Sequence, residues 1–126
     1  AIDKMAIYKN YVYFAPAGYH LNIEPDYTFS LDGSEHINYS KPSIDVHFET
    51  AAQIYRKRCT AFLLSGANSD GARGLRIIEN FGGKIIIQDP KSALINMMPS
   101  AAIRETQNPL IWDDAQIVSF FKTLNT

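Results

Sequence analysis

The sequence predicts an α/β fold: a doubly wound, mostly parallel sheet with helices on both faces and a small antiparallel hairpin. Three observations carry that prediction. Thr60-Ala61-Phe62-Leu63-Leu64 and the segment Lys84 to Gln88 are apolar runs of the kind that form strands covered on both faces. Around them lie segments with apolar residues at helical spacing, so strands alternate with helices of about ten to fifteen residues. Nearer the N-terminus, His20-Leu21-Asn22-Ile23 and Tyr27-Thr28-Phe29-Ser30-Leu31 alternate apolar and polar about Pro25-Asp26, the pattern of a hairpin.

The remaining elements follow in chain order. Tyr11-Val12-Tyr13-Phe14-Ala15 is aromatic and β-branched and is stopped by Pro16 and Gly18, which predicts a short buried strand. Asp32 to Pro42 reads as a polar loop. Ser43 caps a helix whose inner face is Ile44, His47, Phe48, Ala51, Ala52 and Tyr55, with Arg56-Lys57-Arg58 at its end. Ser65 to Gly71 is a loop, and Ala72 to Phe81 a helix with Leu75, Ile78 and Phe81 inward, ended by Gly82-Gly83. Residues Ser92 to Arg104 predict one or two short helical pieces broken at Pro99. Leu110-Ile111-Trp112 is a last short strand. Asp113-Asp114 then opens a helix with Ile117, Phe120, Phe121 and Leu124 inward.

Composition narrows the function. With 126 residues, 46% of them hydrophobic, the chain suits one domain or most of one. The 12 basic and 13 acidic residues form no long runs, which argues against nucleic acid or an anionic membrane as partner. The single Cys59 has no internal disulfide partner, which points to a reducing, cytoplasmic compartment. No apolar run approaches the ~20 residues of a spanning helix. The three histidines and one cysteine show no metal-ligand spacing, so neither metal nor cofactor is expected.

In parallel sheets chemistry gathers at the carboxyl ends of the strands. Two segments fall there, Ala15 to His20 and Ser65 to Gly71. His20 follows a Pro/Gly turn and has the chemistry of a general base; an ordinary loop histidine is the competing reading. Asp70 could orient an imidazole, as the carboxylate of a hydrolytic triad does, or simply cap the helix that follows. The glycine-rich loop could also seat a phosphate, although it lacks the Walker and G-x-G-x-x-G spacings and carries Asp70. His47 reads as a structural histidine and His36 as a solvated one. Ser119-Phe120-Phe121-Lys122 fits S-x-x-K on an amphipathic helix, by chance, and Asn38-Tyr39-Ser40 is a formal sequon without meaning in a cytoplasmic protein. No serine stands in a G-x-S-x-G turn.

Five segments, in order, carry a further signal: Tyr13 to Leu21, Lys41 to Phe48, Leu64 to Ala72, Gln88 to Ala93, and Met98 to Ile103. Together they resemble those of the CheB-type protein-glutamate methylesterases. The resemblance implies a doubly wound α/β domain in which a Ser-His-Asp triad hydrolyses methylated glutamates of chemoreceptors, some members also deamidating glutamine. It assigns His20 as the base and Asp70 as its carboxylate. The family methionine whose backbone helps hold the oxyanion aligns with Ala67, and a family glycine aligns with Asn68. The family serine sits on a glycine-rich turn after the first strand, ahead of the histidine. Only nineteen residues precede His20 and none forms such a turn, so residues 1–126 are expected to be a partial domain. The first βα unit, with the nucleophile, would then be missing.

The partners so implied are the cytoplasmic region of a methyl-accepting chemotaxis receptor and, as in many members, a receiver domain. No direct membrane insertion is expected. The fragment alone is expected to be inactive. A degenerate, non-catalytic interaction module of the same fold is the alternative.

Overall fold

A computed structural model describes residues 1–33 and 43–124. The predicted polar loop beyond Gly33, with His36, the sequon and Lys41, lies outside the described residues. Among the described residues there are two sheets. β1 (His20–Ile23) and β2 (Phe29–Asp32) pair antiparallel, with His20 opposite Asp32 and Ile23 opposite Phe29. β3 (Thr60–Leu63), β4 (Lys84–Gln88) and β5 (Leu110–Trp112) form a parallel sheet in that order. Helices α1 (Ile44–Tyr55), α2 (Ala72–Asn80), α3 (Met97–Glu105) and α4 (Asp114–Thr123) accompany them. Arg56–Arg58 forms a 3₁₀ turn after α1.

The period of two along each strand divides the sheet's faces. Ala61, Leu63, Ile85 and Ile87 pack with Leu75 and Ile78 of α2 and with Ala101 and Ala102 of α3. On the other face Phe62 meets Trp112, Phe120 and Phe121, ring centroids 4.9–6.1 Å apart. The doubly wound α/β arrangement therefore stands, with a hairpin beside it. α1 is the wall between two cores: Ala52 belongs to the sheet core, and Ala51 to a second cluster with Leu21, Ile23 and Phe29 of the hairpin.

The ends of α2 and α4 follow from local chemistry. At the close of α2, Gly82 takes φ +90°, its N–H bonds Glu79 O at 3.0 Å, and Gly83 N–H bonds Ile78 O at 2.9 Å. This paired arrangement satisfies the last carbonyls. Asp113 accepts from Gln116 N–H while Gln116 bonds back to Asp113 N–H, a capping box at α4.

Three expectations need correction. Tyr11 to Ala15 joins no strand ladder, and Val12 and Phe14 are 82% and 79% exposed. Strand propensity expresses packing on a sheet more than a backbone preference, and this segment has no strand alongside it among the described residues. Pro99 does not break α3. It occupies the first turn, where its missing N–H would have had no helical acceptor, and a single helix runs from Met97 to Glu105. On α4 only Ile117 is buried, while Phe121 and Leu124 are 48% and 60% exposed.

Candidate active site

Three segments converge at the carboxyl end of β3: the turn entering β1, the start of α1, and the Ser65 to Gly71 loop. His20 begins β1 after Gly18, whose φ of +84° suits glycine. The imidazole is completely buried, and its Nδ1 accepts the N–H of Ser43 at 3.2 Å. A ring nitrogen that accepts carries no proton, so the neutral ring holds its proton on Nε2.

Asp70 reaches the same residue from the other side. Ser43 Oγ donates to Asp70 Oδ1 at 3.1 Å, Asp45 N–H to Oδ1 at 3.0 Å, and Ile44 N–H to Oδ2 at 2.8 Å. The structure thus brings His20 and Asp70 together on Ser43, with the Ser43 N–H occupying the Nδ1 position where a triad carboxylate would accept. Asp70 does cap a helix, but α1 and not the α2 that follows it in sequence; the N-cap of α2 is Gly71, at φ +98°. A carboxylate at the first turn of α1 also complements the helix dipole.

Asp45 returns the exchange. Its Oδ1 accepts the N–H groups of Gly71 at 3.0 Å and Gly74 at 2.7 Å, at the start of α2. These are the donors a phosphate would need, so the seat of the phosphate reading already holds a carboxylate. The helices approach closely here: a Cβ on Gly74 would lie 2.7 Å from Phe48 Cβ and 3.0 Å from Asp45 Cα.

The loop is held along its length. Gly66 N–H bonds Ile95 O and Gly66 O accepts from Met98 N–H, both at 3.1 Å. Asn68 Oδ1 accepts from Asp70 N–H at 2.9 Å, a turn that needs no positive φ at Asn68. Ala67 is exposed between these anchors. Sequence reasoning missed Gln88 as a support. Its Oε1 accepts from Ser65 N–H at 2.8 Å, and its Nε2 donates to Asp114 Oδ1 at 2.7 Å, tying the loop to α4. The signal available was a polar residue ending an otherwise apolar strand.

A cavity of about 370 Å³ opens beside these residues, lined mainly by apolar groups including Ala15, Leu21, Phe48, Leu63, Leu64 and Met98. Ser43, His47 and Ser65 supply its polar edge. His47 Nδ1 lies 2.9 Å from Leu21 O, so it is the protonated nitrogen, and burial holds the ring below the usual histidine pKa against the raising effect of that bond. Burial likewise pushes the Cys59 thiol up, away from reactivity. Ser119 stands on the exposed side of α4. Among the described residues no cluster of His, Cys, Asp or Glu suits a metal, and no helix is long and apolar enough to cross a membrane.

The chain matches relatives over most of its length. Residues 1–120 fit the family model described as CheB methylesterase. A Leptospira interrogans protein, whose name pairs protein-glutamate methylesterase with protein-glutamine glutaminase, is 44% identical over 99% of this chain and 65% of its own length. The Myxococcus xanthus protein-glutamate methylesterase FrzG is 37% identical over 73% of the chain and 28% of its own length. Among solved structures, the Thermotoga maritima CheB methylesterase catalytic domain superposes with a TM-score of 0.81 at 30% identity, covering 88% of this chain and 61% of that one. The chain therefore spans about two-thirds of the Leptospira relative and less of the others. On the family match and the shared fold together, the chain belongs to the CheB methylesterase family.

Proposed function

We propose that this chain supplies the base and the carboxylate of a protein-glutamate methylesterase whose serine nucleophile lies outside residues 1–126. The observation that carries the reading is the meeting of His20 and Asp70 on Ser43, beside an apolar cavity at the carboxyl end of β3. In this reading a serine engages His20 Nε2, which takes its proton as the hydroxyl attacks the methyl-ester carbonyl. Methanol leaves, and a water activated by His20 frees the glutamate. Nε2 must be unprotonated for this step, so the ring proton moves to Nδ1 and the Ser43 N–H contact yields as the nucleophile engages. Asp70 then steadies the imidazolium. The Ala67 N–H is one donor to the oxyanion, a kind of contact whose loss costs about 2.7–4 kcal/mol. The substrate is a methylated chemoreceptor in the cytoplasm, with glutamine deamidation as a companion activity and a receiver domain as a regulatory neighbour.

One observation favours a second reading, a non-catalytic module of the same fold. Asp70 accepts three hydrogen bonds that make it a helix cap, and His20 Nδ1 already accepts one from the backbone. Assay of methylated receptor separates the two. Purified residues 1–126 should release no methanol, and the full-length protein should release it and lose that activity in His20→Ala. Turnover by residues 1–126 that disappears in His20→Ala would place a nucleophile inside this chain and sink the proposal. A full-length protein indifferent to His20→Ala would leave the module reading.

A further inference from the structure

The bonds around Ser43 close into a circuit that the triad reading leaves unassigned. We infer that Ser43 and Asp45 are positioning residues: through the junction of α1 and α2 they hold Asp70 in place and, until the nucleophile engages, His20 beside it. Ser43, 1% exposed, carries both partners: its N–H bonds His20 Nδ1, and its hydroxyl donates to Asp70 while accepting from Val46 N–H at 3.3 Å. Two residues on, Asp45 donates its N–H to Asp70 and accepts from Gly71 and Gly74. Gly71 directly follows Asp70, and its positive φ excludes ordinary side chains. Its N–H anchor therefore fixes where the Asp70 carboxylate projects. Neither Ser43 nor Asp45 touches the reacting atoms; each acts through another residue.

This inference rests on the methylesterase reading for its kinetic arm and stands without it for its spectroscopic arm. In the full-length protein, Ser43→Ala and Asp45→Ala should each lower kcat about 10- to 100-fold through misplacement of the pair, with KM little changed. Asp45→Asn should recover most of the rate, because the amide oxygen still accepts from Gly71 and Gly74. For residues 1–126, nitrogen-15 NMR should detect a coupling across the Ser43 N–H···Nδ1 bond of His20. That coupling should persist in Asp45→Asn and vanish in Asp45→Ala. Its persistence in a folded Asp45→Ala variant, or unaltered kcat in Ser43→Ala, would overturn the assignment. Should His20→Ala prove harmless to turnover, the triad fails and the coupling alone decides the positioning role.

Discussion

The junction of α1 and α2 and the segment from Tyr11 to Tyr19 both carry strong local signals, and they end in opposite states. At the junction, Asp70 caps α1 while Asp45 caps α2, and every one of those bonds spans at least 25 residues of sequence. Along the segment, a run of tyrosine, valine and phenylalanine meets no ladder, and most of its side chains face solvent. The contrast separates what a sequence offers from what the fold accepts. A carboxylate at a helix start finds four orphan N–H groups wherever a helix begins nearby. A strand finds nothing until another backbone lies alongside.

That difference yields graded predictions. The largest effect falls on Asp45→Ala, which strands two helix-start donors; it should cost about 3 kcal/mol in chemical denaturation, and Asp45→Asn much less. Gly74→Ala drives a methyl into Phe48 and the α1 backbone, and about 2 kcal/mol of lost stability is expected. A melt indistinguishable from wild type in either case would mean the junction is slack. His47 comes next. Its folded-state pKa is depressed, so the unfolded chain binds the proton more readily. Its contribution is complete above the ordinary value of 6.5 and is lost as pH falls below it. His47→Gln should flatten the stability–pH curve in that acid window. Smallest, Val12→Lys and Phe14→Ser should move stability by no more than about 0.5 kcal/mol, since neither buries its side chain. A larger loss would show that the segment contributes to the core after all.

Much of this architecture was legible because its causes are local. The apolar run over Lys84 to Gln88 matches β4 residue for residue, and Asp113 and Gly82 end or begin helices for reasons contained within a few neighbours. His20 and Asp70 could be singled out by chemistry and placed near one another by topology. What stayed illegible was long-range: that Asp70 caps the earlier helix, that Ser43 joins the two, and that Gln88 reaches across to Ser65 and Asp114. Pro99 was misread for another reason. Its effect depends on how far into the helix it stands, and where an element begins is fixed less firmly by sequence pattern than that it exists.

Ala51 and Ala52 are adjacent, yet they serve different cores. α1 therefore cannot shed the hairpin cluster without straining its seat on the sheet cluster, and its first turn is where His20 and Asp70 meet. The chain should melt in a single cooperative step, with calorimetric and van't Hoff enthalpies in agreement. Slow hydrogen exchange should extend through β1, α1 and β4 as one unit. Beyond the exchange of a single hydrogen bond, then, opening the neighbourhood of His20 disturbs both cores at once.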